Sequence, residues 1–235
     1  MLEPLGKYET AMVVTAHPDD AEFGCSGTVA RWISEGTQVV YVLVTDGSKG
    51  TEDRSISPEQ LAEIRRNEQI EAGKILGLKD VVFLDYPDGY LEPTLDVRRD
   101  ISKQIRIHKP QILITTNPNR TLTGENYIGH PDHFAAGEAA LSAVYPSARD
   151  HLTFPELDQE GFEPHKVREV LIIGHDDPNI WFDITDSIDT AEKGLLAHKS
   201  QLGQEAADRT RERKSEIGKL YGVKYAEHFK GFVIR

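Results

Sequence analysis

The chain has a single cysteine, Cys25, in 235 residues, so no intrachain disulfide can form. It has no apolar run near the roughly 20 residues that span a bilayer. Its first ten residues, Met1 to Thr10, lack the apolar stretch of a signal peptide, and a cytoplasmic location is expected. Positive charge is scarce: 27 Lys and Arg stand against 39 Asp and Glu, a formal net charge of −12. Such a surface repels phosphate backbones, which argues against a nucleic-acid partner. No Gly-x-Gly-x-x-Gly fingerprint occurs. Gly24 and Gly27 have the wrong spacing, and Asp19, Asp20 and Glu22 beside them would repel phosphate. There is no internal repeat and no low-complexity tract.

What is present reads as alternating strands and helices. Met12 to Ala16 is a short buried strand, Ser26 to Ser34 a helix closed by Gly36, and Gln38 to Thr45 an apolar strand suited to a sheet covered on both faces. Ser57, Pro58 and Gln60 form a capping box that opens a helix running to Leu76, with Gly77 as its stop. Val81–Leu84 is a strand, 95–107 a helix, Gln111–Thr116 a strand, 117–129 a loop and Pro131–Tyr145 a helix. Residues 145–166 form a surface excursion, Val167–Ile173 and Ile180–Ile184 are strands, and a charged helical region follows Ser187. The pattern predicts one α/β domain over residues 1–235. It is Rossmann-like, with a mostly parallel sheet and helices on both faces. Ligands of such sheets sit beyond the carboxyl ends of the strands, and a metal site is expected at that edge.

Two clusters carry chemistry. Ala16-His17-Pro18-Asp19-Asp20 follows the first strand directly, and His130-Pro131-Asp132-His133 stands far downstream. Catalytic zinc uses three protein ligands, drawn from His nitrogen and carboxylate oxygen, plus water. His17 and Asp20 share a turn that Pro18 stiffens, and His133 supplies a third ligand. Asp19 is then the spare carboxylate, a general base for water whose pKa the metal lowers toward about 7. The water attacks an acetyl carbonyl, and His130 is the candidate donor to the oxyanion. Asp132 can orient and charge His130 from behind. The leaving amine takes its proton from Asp19 or from His130.

With Glu22, Gly24 and Gly27-Thr28, the first cluster resembles the signature of the PIG-L/LmbE type of zinc-dependent de-N-acetylases. That family includes deacetylases of N-acetylglucosaminyl-phosphatidylinositol and of the mycothiol and bacillithiol precursors. The likeness extends to Arg65-x-x-Glu68 with Ala72 and Leu76-Gly77, to Pro87-Asp88-Gly89, to the second His/Asp cluster and to Ala197-His198-Lys199-Ser200-Gln201. The resemblance implies one Zn2+ on His17, Asp20 and His133, with Asp19 as base and His130 and Asp132 as electrostatic partners. It also implies that Arg65 and Asp88 bind the sugar. Some relatives place a tyrosine two residues before the second cluster; here Ile128 stands there and Tyr127 one step earlier.

The expected activity is therefore hydrolysis of an N-acetyl amide on an N-acetylglucosamine-type sugar or glycoconjugate. The alternatives are an amidase for a larger acyl group on a related conjugate and a non-catalytic Rossmann-type nucleotide-binding module. The partner is a small amino-sugar substrate; a homo-oligomer is left open, and iron or cobalt would also suit the ligands. Loops 46–57, 117–129 and 146–166 are expected to shape the pocket. His175-Asp176-Asp177-Pro178 reads as a polar loop, His198 as a surface, core or cleft residue, and Cys25 as buried packing.

Overall fold

Alternate residues of the first strand face opposite cores. Met12 and Val14 of β1 (Thr10–Thr15) pack on one side of the sheet and Ala11 and Val13 on the other. β2 (Gln38–Thr45) divides in the same way, Val40, Val42 and Val44 from Val39, Tyr41 and Leu43. A strand buried on both faces needs helices on both faces. The computed structural model describes residues 6–120, 122 and 128–234. After β1 come α1 (Asp20–Gly24) and α2 (Ser26–Ser34). β2 is followed by α3 (Pro58–Leu76), β3 (Asp80–Tyr86), α4 (Leu95–His108), β4 (Ile112–Thr116), α5 (Pro131–Ser142) and α6 (Pro155–Gln159). The chain then adds β5 (Glu169–Ile173), β6 (Ile180–Asp183), α7 (Ile188–Leu195), α8 (Gln204–Tyr221) and β7 (Ala226–Val233).

The strands form one seven-stranded sheet in the order β3-β2-β1-β4-β5-β7-β6. β3 through β5 pair in parallel, while β7 runs antiparallel to both β5 and β6. The mostly parallel α/β architecture is as expected. The order reverses between β1 and β4, where a crevice opens at the carboxyl edge. The two His/Asp clusters follow these two strands.

Local signals hold where chemistry is local. Ser57 and Gln60 form the capping box, and Gly77 ends α3 at φ 83. The short helix α1, the helix α6 and the strand β7 lie outside the sequence reading. The helix after His130 ends at Ser142, and Ala143–Ser147 form a wider turn that includes Pro146, which has no N–H to continue the ladder. Among the described residues, no helix is long and apolar enough to cross a membrane.

Residues 146–166 are not part of the carboxyl edge. Arg106 of α4 donates to the carbonyls of Ser147, Ala148, Asp150, Thr153 and Phe162. His165 Nε2 donates to Pro110 O at 2.7 Å, just before β4 begins. The excursion is therefore tied to the opposite, amino edge of the sheet and cannot shape a pocket at the site edge.

Candidate active site

His17 leaves the end of β1 in a turn closed by its own cluster. The His17 N–H donates to Asp20 Oδ2 at 2.9 Å. Asp19, between them in the turn, takes φ 94, ψ −28, a left-handed conformation that costs a non-glycine residue energy. Neighbours hold it there. Its N–H donates to Gln69 Oε1 at 3.2 Å, and its carbonyl accepts from Phe23 N at 3.1 Å. Arg65 donates to Pro18 O at 2.9 Å and stands 3.4 Å from Asp19 Oδ2.

The second cluster is positioned by the start of α5. His130 is the N-cap and Pro131 the first helical residue. Gly137 lets the helix lie against β4: a Cβ there would meet Thr116 O at 2.3 Å. Thr116 Oγ1 donates to His133 O at 2.6 Å. This brings His133 Nε2 to 3.0 Å from Asp20 Oδ1, while His17 Nδ1 lies 3.5 Å from Asp20 Oδ2. The Asp20 carboxylate thus spans two imidazoles from opposite ends of the crevice. The His17 ring centroid is 5.2 Å from that of His133 and 4.7 Å from that of His130.

The far side of His17 is built of carboxylates. Its Nε2 lies 3.1 Å from Asp88 Oδ1 and 3.3 Å from Asp132 Oδ2. These acids also accept main-chain N–H groups, Asp88 from Lys49 at 3.0 Å and Asp132 from Gly89 at 2.7 Å and Leu91 at 3.3 Å. Among the described residues, two groups have ligand atoms close enough to hold a metal ion, His17 with His130 and His133, and His17 with Asp88 and Asp132. Asp88 and Asp132 are buried and spent on hydrogen bonds, which suits an outer layer. They face His17 Nε2, while Nδ1 on the other side of the ring faces Asp20.

Asp132 lies nearer His17 than His130, whose Nδ1 is 3.9 Å from Asp132 Oδ1 and accepts the Asp132 N–H at 3.2 Å. With Nδ1 accepting, a neutral His130 carries its proton on Nε2. Arg65 and Asp88, expected at the sugar, are 4% and 3% exposed. Arg65 is engaged with the carbonyls of Pro18, Gly47 and Lys49 and lies 3.7 Å from Asp88 Oδ2. A bulge between Leu43 and Thr45 against β3, where Asp85 takes φ 57, precedes Pro87 and Asp88 as the chain turns into the crevice.

The electrostatics ask for a cation. Burial alone would lower the His17 pKa, but Asp132, Asp20 and Asp88 push it up to about 12. Burial opposes ionisation of Asp20, yet His133 and His17 hold its carboxyl well below the usual range. Burial and the adjacent Asp20 raise Asp19 to about 7, although Arg65 and His198 pull the other way. Burial and the charge of His17 lower His130. Asp19, Asp20, Asp88 and Asp132 crowd one crevice, where the buried Arg65 pairs with Asp19 and Asp88 and three imidazoles stand beside them. That donor set fits a divalent metal.

Sequence reasoning gave Gln69 no role and did not pair Glu22 with His198; of the alternatives for His198, the structure selects a buried position. Glu22 lay within the first motif and His198 within the last, so a signal existed for both; Gln69 had none. His198 follows α7 and is fully buried against Glu22. Cys25 is buried packing, as read. His175 accepts the Asp177 N–H at 3.1 Å in a polar loop. Tyr127 lies outside the described residues.

Residues 12–144 match the family described as PIG-L, GlcNAc-PI de-N-acetylase. The chain belongs to this family. Over 229 residues this PIG-L chain is 32% identical to diacetylchitobiose deacetylase of Thermococcus kodakarensis, across 96% of its own length and 84% of the relative's. It is 32% identical over 180 residues to a 1D-myo-inositol 2-acetamido-2-deoxy-alpha-D-glucopyranoside deacetylase of Kineococcus radiotolerans, across 63% and 48% of the two chains. The solved N,N'-diacetylchitobiose deacetylase from Pyrococcus horikoshii superposes with a TM-score of 0.88 at 29% identity, covering 96% of the PIG-L chain and 84% of the other. These relatives are deacetylases, amide hydrolases acting on N-acetyl groups. The PIG-L match contains both His/Asp clusters.

Proposed function

We propose that this protein removes the acetyl group from an N-acetylglucosamine-type sugar or short glycoconjugate, with Zn2+ held by His17, Asp20 and His133. The observation that carries the reading is the bridging position of Asp20 between His17 and His133, with Asp19 next to it in a strained turn. Zinc, when bound, supplies Lewis acidity and lowers the pKa of water. Asp19 takes a proton from the attacking water, and its raised pKa suits a base near neutrality. Arg65 holds the Asp19 carboxylate in place. The His130 Nε2–H donates to the acetyl oxygen as charge builds there. Asp88 and Asp132 orient His17, so that Arg65 and Asp88 act on the substrate through Asp19 and His17. The departing amine is protonated by Asp19 or His130.

The rim suggests the rest of the substrate. Tyr90, two residues past Asp88, is 74% exposed, with Lys49 Nζ 4.9 Å from its ring centroid. An exposed aromatic face beside the crevice offers packing for the apolar face of a second sugar ring. The deciding experiment pairs elemental analysis with acetate release from N-acetylglucosamine and from diacetylchitobiose. About one zinc per chain with acetate released supports the proposal; no bound metal and no acetate at any loading overturns it.

A further inference from the structure

Beneath Asp19 lies a chain of buried polar side chains that the proposed chemistry does not use. Gln69, Glu22 and His198 are all 0% exposed. The Asp19 N–H donates to Gln69 Oε1 at 3.2 Å, and Gln69 Nε2 donates to Glu22 Oε1 at 2.9 Å. Glu22 Oε2 stands 3.4 Å from His198 Nε2 as an ion pair. Apart from that pairing, neither Glu22 Oε2 nor either His198 ring nitrogen has a hydrogen-bond partner among the described residues.

Buried groups of this kind are costly, and a well-packed apolar trio would serve stability as well or better. Their arrangement points to a different use, because the chain ends on the N–H of Asp19. Gln69 and Arg65 lie four apart on α3 and therefore share one face. Arg65 grips the carboxylate of Asp19 and Gln69 its N–H, while Phe23 N holds its carbonyl. The strained residue is thus tied at three points, two of them on one helix. A glutamine amide can present either end. Glu22 Oε1 accepts from the NH2 end, so the oxygen faces Asp19, and His198 Nε2 stands against the other Glu22 oxygen and fixes the carboxylate in place.

We infer that Gln69 is a positioning residue for Asp19, and that the buried Glu22–His198 pair locks its amide in the accepting orientation. The inference rests on the reading of Asp19 as the base. Holding a reacting group within a narrow geometry accounts for large factors in rate, and a small displacement loses them.

The test is Gln69→Met, which keeps volume and removes both hydrogen bonds, with His198→Gln as a second, more remote variant. In Gln69→Met, kcat should fall about tenfold or more with KM within about twofold of wild type. Hydrogen exchange at the Asp19 amide, followed by 1H–15N spectra of the protein as purified, should speed up about tenfold or more. His198→Gln should show the same pattern more weakly. Wild-type kcat per folded molecule and unchanged Asp19 exchange in Gln69→Met, with only the melting temperature lowered, would overturn the inference and leave a structural role. If Gln69→Met does not fold, His198→Gln decides by the same readouts. A wild-type enzyme that releases no acetate would sink the proposed function, while the amide-exchange comparison still decides the positioning of Asp19.

Discussion

The carboxylate of Asp132 stands 3.3 Å from His17 Nε2 and 3.9 Å from His130 Nδ1. It belongs first to His17. Asp132→Asn keeps the shape but puts an NH2 group where an acceptor meets the His17 ring and the N–H groups of Gly89 and Leu91. Metal affinity, measured by competition with a chelator, should drop about 10- to 100-fold. If affinity is unchanged and only kcat falls, Asp132 acts through His130 instead.

Removing the proposed base should separate binding from chemistry. Asp19→Asn is expected to retain metal and lose activity by about a hundredfold to ten-thousandfold. Normal turnover in that variant would reject Asp19 as base. His133→Ala, by contrast, should lose the metal itself, and full zinc occupancy after purification would reject it as a ligand.

The contact between α5 and β4 should matter to the site as well as to stability. Gly137→Ala drives a Cβ to 2.3 Å from Thr116 O. A helix cannot yield there without moving, so about 1–3 kcal/mol of stability should be lost. Because His133 lies one turn earlier on the same face of α5, metal affinity should fall too. Denaturant unfolding and metal titration together check this; a variant with wild-type affinity would mean that His133 is held independently of that contact.

Tyr90 should discriminate between substrates. Tyr90→Ala is expected to raise KM for diacetylchitobiose by about three- to tenfold, the scale of one aromatic packing contact, and to leave N-acetylglucosamine unaffected. Equal effects on both substrates would place the ring elsewhere than at a second sugar.

Burial lowers the pKa of His165, even though its ring donates to Pro110 O. A folded pKa below the unfolded value of about 6.5 means the fold prefers the neutral ring. Its stabilisation is present above that value and lost as pH falls through the folded pKa. Melting temperature should decline below about pH 6.5, and His165→Gln should flatten the decline. An identical profile for the variant would show that His165 contributes nothing to it.

The strands β1, β2 and β4, the capping box at Ser57 and the stop at Gly77 were legible because short-range rules govern them: apolar runs, a reciprocal hydrogen bond three residues apart, a left-handed glycine. β7 was not. It carries Glu227, His228 and Lys230, and Glu227 is buriable only because Lys214 of α8 reaches it at 2.7 Å and the N–H groups of Gly27 and Thr28 donate to it. No local pattern announces such a partner.

The candidate site divides in the same way. Residue types and their order along the chain, a turn of His and Asp after the first strand and a second such turn opening a helix, were enough to name His17, Asp19, Asp20, His130, Asp132 and His133 as a set, since metal chemistry needs those atoms. Which acid stands behind which imidazole, the burial of Arg65 and Asp88, the grip of Gln69 on Asp19 and the removal of residues 146–166 to the far edge all depend on distances between segments remote in sequence. Those distances are decided by how helices pack on the sheet, and packing is a property of the whole chain.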